Sequence, residues 1–226
     1  MMSMIAVNIA KAKRASLAAV FCAVLGSSFL LAATAGFAAD VAPDVLAKNT
    51  TEEVLAIIKA DKEIQAGNQK KMLDLIDAKV LPHFDFARMT MLAVGKNWNR
   101  ATPAQQQALA REFRTLLVRT YSASLTAYKN QVIDFKPLNM QPGDTDVKVK
   151  TEVKQPGGKP IPIDYSMEKM ATGWKVYDVV VDGVSLVTNY RNSFASEIRQ
   201  SGIDGLIKTL ANKNQQADGG AATAKK

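Results

Sequence analysis

Apolar residues recur along this chain at two periods, about 3.6 and 2, and the order of the two sets the expected fold. Val45, Leu46, Val54, Leu55, Ile57 and Ile58 form a helical stripe behind Pro43, a residue suited to a first helical turn. The stripe ends near Asp61. Asn68 opens a second helix carrying Met72, Leu73, Leu75 and Ile76. Pro82 ends it, because proline lacks an amide donor and disfavours a helical residue before it. A short third helix is predicted over 85–94, stopped by Gly95 as its cap. Phe84, Phe86, Met89, Met91, Leu92 and Val94 make it apolar nearly all round, so it must be surrounded by protein or face something apolar. Thr102-Pro103-Ala104-Gln105 is a capping box with proline at the first helical position. The helix it starts is the longest, reaching about Lys129, with Leu109, Phe113, Leu117, Tyr121, Leu125 and Tyr128 as its inner stripe.

Period two takes over from Gln131, and a first strand is expected over 131–140. In 146–154, Val147, Val149, Thr151 and Val153 alternate with Lys148, Lys150, Glu152 and Lys154, which gives one apolar and one wet face. Pro156-Gly157-Gly158 marks a hairpin loop, after which Ile161, Ile163, Tyr165 and Met167 resume the alternation. Trp174 to Val181 is dense in valine and aromatics and reads as a central strand. Asp182-Gly183 breaks it. From Val184 the helical period returns, with Val184, Val187, Tyr190, Phe194 and Ile198 on one stripe. Ser201-Gly202-Ile203-Asp204 opens a further short helix bearing Leu206, Ile207 and Leu210. Residues from Asn214 onward are small and polar, and a disordered tail is expected over 214–226. The pattern predicts an α+β domain: a four-stranded antiparallel meander, with helices on its apolar face. If strongly curved and filled by helices on its concave side, such a sheet makes a cone.

The N-terminus changes this picture. Lys11, Lys13 and Arg14 precede an apolar run from Ala15 to Ala33, and small residues follow. This is the three-part pattern of a secretory signal peptide, expected to span 1–38, with cleavage after Ala38. Those residues hold three basic and no acidic side chains, so their removal takes the formal charge from +8 to +5. The domain then runs from 39 to 213, and the single cysteine, Cys22, goes with the leader. Stability must come from an ordinary hydrophobic core. A scattered charge of +5 suits the vicinity of anionic lipid headgroups and does not argue for nucleic acid.

Reactive chemistry is sparse. His83 is the one histidine, so no His/Cys metal cluster and no Cys–His dyad can form. Ser185 lies in Gly183-Val184-Ser185-Leu186-Val187, which lacks the second glycine of a nucleophile elbow. No glycine-rich phosphate loop that would hold a cofactor is present. Asp85, Asp164 and Asp178 read as caps or sheet-surface charges. Asp164, between Ile163 and Tyr165, is expected outside, which weakens any reading as a buried acid–base enzyme. What the chain has in quantity is apolar surface, which serves equally as solid core or as pocket wall.

Two blocks carry a family resemblance. Phe84-Asp85-Phe86, Gly95 with Trp98 and the Thr102-Pro103 cap form one. Trp174-Lys175-Val176, Asp178, Gly183-Val184-Ser185 and Tyr190-Arg191 with Phe194 form the other, and Gly202-Ile203-Asp204-Gly205-Leu206-Ile207 extends it. From about Thr51 to Lys213 the chain resembles the periplasmic phospholipid-binding proteins of the Mla (maintenance of lipid asymmetry) system, the toluene-tolerance family. The resemblance implies a fold like nuclear transport factor 2 with a deep cavity for acyl chains. It implies a soluble, periplasmic, non-enzymatic shuttle with a phospholipid as ligand, and a monomer without cofactor or metal. Its implied partners are an outer-membrane lipoprotein complex and the lipid-binding subunit of an inner-membrane ABC transporter. A lipid-lined cavity would then draw on Met89, Leu92, Phe113, Leu117, Tyr121 and Leu125 from the helices. From the sheet it would draw on Val147, Val149, Val153, Ile163, Tyr165, Met167, Val176 and Val184. Arg191 is expected either at the cavity mouth or in an ion pair with an acid such as Asp178. A binder of small hydrophobic solutes and an acid–base enzyme on the same cone are the competing readings.

Overall fold

The structure, a computed structural model, describes residues 41–126 and 131–223. The chain divides into residues 1–38 and 39–226, and every described residue belongs to the second unit. The expected leader and Tyr128 lie outside the described residues. Among the described residues, no helix is long and apolar enough to cross a membrane.

Helices α1 (Pro43–Ala60), α2 (Lys62–Gln65) and α3 (Gln69–Lys79) come first. Their boundaries follow local chemistry. Asp61 caps α2 by accepting from Glu63 N–H (2.8 Å) and Ile64 N–H (3.1 Å), and Asn68 caps α3 by accepting from Lys71 N–H (3.2 Å). Helix α4 (Phe86–Val94) starts on Asp85, which accepts from Arg88 N–H at 3.0 Å, and ends at Gly95 with φ 61°. The capping box of α5 (Pro103–Thr126) forms in both directions. Gln105 N–H donates to Thr102 Oγ1 at 3.2 Å, and Thr102 N–H donates to Gln105 Oε1 at 3.0 Å.

The sheet has five strands, one more than the pattern predicts. These are β1 (Val132–Phe135), β2 (Asp146–Lys154), β3 (Ile161–Met170), β4 (Gly173–Val181) and β5 (Val184–Ser185), in that spatial order and all antiparallel. The difference lies at Asp182-Gly183. Asp182 adopts φ 49° and Gly183 φ 80°, which makes a two-residue hairpin turn. The backbone therefore folds back for one short pairing, Val181 to Val184 and Val180 to Ser185, before any helix begins. A β-bulge between Ser166 and Met167 leaves Tyr177 as an extra residue in β4.

Helix α6 (Arg191–Thr223) closes the chain and is broken at Gly202 (φ 75°, ψ −177°), where the sequence places the start of a separate helix. The helix continues through Thr223, into the stretch where a disordered tail is expected. Asn214 is buried, and its amide donates to the Glu112 carbonyl (3.0 Å) and to Glu112 Oε2 (3.0 Å). Arg119 donates to the Asn214 carbonyl. Polar composition concealed a helix held by polar contacts to α5.

The core lies in three clusters. One joins α4, α5 and α6 through Met89, Leu109, Phe113, Phe194 and Leu206. A second joins α1–α3 through Val54, Ile58, Met72 and Ile76. The third coats the sheet with Val147, Val149, Met167, Trp174 and Val176.

Candidate functional site

Strand alternation and register build the apolar sheet face row by row. Val147, Met167 and Val176 share one row; Val149, Tyr165 and Val179 the next. Then come Phe135, Thr151, Ile163, Val181 and Val184, and last Ile133, Val153 and Ile161. All fourteen side chains project to one side, but they are not equally covered.

The first row is sealed, and in the second Val149 is sealed while Tyr165 and Val179 are half-buried. Val149 is 0 % exposed, and Val147, Met167 and Val176 are buried with it. Leu46 and Ala47 of α1, together with Phe84 and Leu138, pack on them. The last rows are open except at Thr151, which is buried. Ile133, Val153, Ile161, Ile163 and Val181 are only half-buried, and Val184 is 54 % exposed. An inward apolar row without a full cover is a hydrophobic surface that awaits an occupant.

The expected lining residues therefore divide. Val153, Ile163 and Tyr165 stand on or beside the open rows. Val147, Val149, Met167 and Val176 are packed core. Val184 keeps its predicted face, but the extra strand puts it at the sheet margin, in solvent. Met89, Phe113 and Leu117 are buried inside the α4–α5–α6 cluster, with Leu92 and Tyr121 half-buried at its margin. Leu125 packs instead on the α1–α3 cluster. Arg191 is held on helix α4 rather than on Asp178. Its Nε and Nη2 both donate to the Leu92 carbonyl, at 3.1 and 2.9 Å, and so cap the end of α4. Asp178 accepts instead from Ser185 Oγ at 2.7 Å.

Open-row residues outside the expected set are Ile133, Phe135, Thr151, Ile161 and Val181. The parity of each strand carries that signal, since Ile161 precedes Ile163 by two and Val181 sits opposite Ile163. Beside the open rows, α1 diverges from edge strand β1 and leaves a cleft of about 470 Å³. Lys48, Thr51, Glu52, Leu55 and Lys59 form its helical wall, and Gln131, Val132, Ile133, Asp134 and Phe135 its strand wall.

The opposite sheet face is stapled to α4. Arg88 Nη1 meets Glu168 Oε2 at 2.5 Å and Nη2 meets Asp146 Oδ2 at 2.9 Å. Its guanidinium lies 3.5 Å from the centre of the Tyr177 ring, whose hydroxyl donates to Asp146 Oδ1 at 2.7 Å. Burial raises the Glu168 carboxyl, against the lowering effect of Arg88, and neighbouring Asp85 raises it further. Elsewhere, burial and then Tyr190 push the Tyr121 phenol up to about 12. Burial also lowers the His83 imidazole, helped by Lys175. Asp164 lies on the wet face, 4.0 Å from Lys148. The open rows thus consist of aliphatic and aromatic side chains plus the Thr151 hydroxyl, which donates to the Ile163 carbonyl at 2.8 Å.

Known proteins share this sequence and architecture. The chain is 38 % identical, with a TM-score of 0.73, to the phospholipid-binding protein from Ralstonia solanacearum, solved in complex with a phospholipid. That similarity covers 79 % of this chain and 99 % of the other. It is 28 % identical over 183 residues to the toluene tolerance protein Ttg2D of Pseudomonas putida, covering 78 % of this chain and 85 % of the relative. To the intermembrane phospholipid transport system binding protein MlaC of Haemophilus influenzae it is 22 % identical, covering 84 % of this chain and 89 % of the relative. The family model described as MlaC protein matches residues 48–212, most of the chain, and the chain belongs to the MlaC family.

Proposed function

We propose that this protein carries phospholipid through the periplasm, holding acyl chains against the open rows of the sheet. The supporting observation is that gradient of cover: apolar side chains of one face run from sealed at Val149 to half-buried at Ile163 and Val181. The similar protein from Ralstonia solanacearum, solved with a phospholipid, supports the identity of the occupant. Two acyl chains carry about 30 methylenes, and exposing them to water costs on the order of 24 kcal/mol at ~0.8 kcal/mol each. A carrier must cover most of that surface. Because lipid leaves one apolar medium for another, net transfer stays close to neutral and loading remains reversible.

In this reading the protein is a monomeric shuttle between an outer-membrane lipoprotein complex and the lipid-binding subunit of an inner-membrane ABC transporter. Its cone is of the nuclear transport factor 2 type, with α1 and the open rows as cavity walls. Carriage rather than catalysis is favoured by the chemistry of those rows, where no carboxylate stands among the apolar side chains.

Native mass spectrometry of protein purified from periplasm tests the proposal. The expected result is one phospholipid mass per chain, lost after organic extraction and regained from vesicles. Small hydrophobic solutes in its place would favour the solute-binder reading, and no retained ligand of either kind would sink both.

A further inference from the structure

The α1–β1 cleft differs from the open rows in kind. Its volume of about 470 Å³ falls well short of the ~900 Å³ that two acyl chains fill. Six of its ten lining residues are polar or charged: Lys48, Thr51, Glu52, Lys59, Gln131 and Asp134. Yet it adjoins the apolar site directly. Ile133 belongs to the last open row, and Phe135 lines the cleft while packing on the sheet cluster. The cleft and the open rows are therefore continuous at Ile133 and Phe135.

The cleft offers donors suited to a lipid's polar end. Lys136 N–H donates to the Lys150 carbonyl at 2.9 Å, so even-numbered residues of β1 turn their amides toward β2. Ile133 and Phe135 therefore turn their N–H groups the other way, into the cleft. Lys48 and Lys59 reach in from one face of α1, three turns apart. Lys48 lies 4.0 Å from Glu52 with both side chains more than half exposed, a loose pair that can re-aim. The carboxylates are muted. Asp134 accepts from Lys136 and Lys154, each at 2.9 Å, and those bonds hold its carboxyl down at about 2.

We propose that this cleft seats the phosphodiester of the bound lipid, with Lys48, Lys59 and the Ile133 and Phe135 amides as its contacts. This rests on the carrier reading above. The carboxylates and lysines of the lining offset one another, so the seat recognises phosphate while tolerating both zwitterionic and anionic headgroups.

The test is ³¹P NMR of the lipid-loaded protein, with Cys22→Ser where the leader is retained and a nitroxide label on Val132→Cys. Val132 is 63 % exposed and lines the cleft, so the label is tolerated. The lipid phosphorus signal is expected to broaden beyond detection, and to stay sharp with the label on Lys208→Cys of α6. Double substitution Lys48→Glu, Lys59→Glu is expected to lower phospholipid retention roughly two- to fivefold, the size of one or two exposed charge contacts. It should do so equally for phosphatidylethanolamine and phosphatidylglycerol vesicles. A loaded protein whose phosphorus signal stays sharp with the Val132 label overturns the seat and leaves the carrier reading standing. So does broadening of inorganic phosphate in delipidated protein without broadening of the lipid signal, which would mark a free-anion site. A protein that cannot be loaded at all overturns the carrier reading, and the seat with it.

Discussion

Residues of one type on one sheet face have different tasks here, and substitution separates them. Val149 is sealed, so Val149→Trp overpacks the sheet cluster and is expected to cost about 1–3 kcal/mol or more, read from the denaturant midpoint of delipidated protein. Ile163→Trp stands two residues along the same strand pairing, on the open rows. It should cost clearly less stability and lower lipid retained per mole, because the indole occupies space meant for chain. Equal destabilisation by both would mean that the open rows are core. Arg191 provides a second case. Its two bonds to the Leu92 carbonyl cap α4, and its Nε lies 4.0 Å from where a β-carbon on Gly95 would stand. Arg191→Ala is expected to lower thermal stability by about 1 kcal/mol, as exposed hydrogen bonds from a charged donor do, and to leave lipid retention unchanged. Lost retention at unchanged stability would restore the mouth position.

Among elements, α4 and β1 are held by charge, and each hold can be broken separately. Arg88→Ala removes the guanidinium that meets Glu168 and Asp146 and covers Tyr177, leaving the Glu168 carboxyl without its counter-charge. These side chains are partly exposed, so the cost is set at about 1–2 kcal/mol, below that of a fully buried pair. It is measured as a shift in denaturant midpoint, and Glu168→Gln should cost less. For β1 the hold is Asp134 between Lys136 and Lys154. Its carboxyl is depressed from 3.8 to about 2, so its stabilisation is present above 3.8 and is lost as pH falls through 2. Exchange of the Val132 and Asp134 amides, which face β2, should accelerate over that window relative to β3. Helix boundaries were legible where caps are local: Asn68, Asp85 and the Thr102–Gln105 pair act within three residues, whereas the one-turn α2 capped by Asp61 was not foreseen. Strand parity was legible for the same reason. Strand β5 was not, since Val184, Val187 and Tyr190 fit a helical stripe and only tertiary pairing with Val180 and Val181 decides otherwise. The open rows were illegible as well. Valine and isoleucine read alike whether α1 lies over them or not, and cover is set by how helices pack, not by residue type.

At the scale of the molecule, stability and binding are divided between clusters. The α4–α5–α6 cluster is sealed by its own side chains, with Leu109 and Phe113 fully buried and the Phe113 ring edge-on to Tyr190 and Phe194 at 5.2 Å. The sheet cluster is sealed only at the Val149 end. Phe84 packs on both clusters, its backbone bridges to Val176, and Arg88 of α4 joins Asp146 and Glu168 of the sheet, so the two clusters meet at the end of the sheet away from the open rows. A ligand that fills the open rows therefore completes one cluster without being needed by the other. A lipid that binds only the native state raises its stability with the logarithm of ligand over dissociation constant. The gain should be local as well as global. Removing lipid is expected to increase amide exchange in Ile161–Ile163, in Val179–Val181 and along α1. Residues 109–117 of α5 should keep their protection until global unfolding. Hydrogen exchange with mass spectrometry on loaded and delipidated protein reads this directly. Equal loss of protection in α5 and in the open rows would show a single cooperative core and place the lipid elsewhere. Protection lost only at the open rows would show how a carrier releases its cargo while most of its fold stays intact.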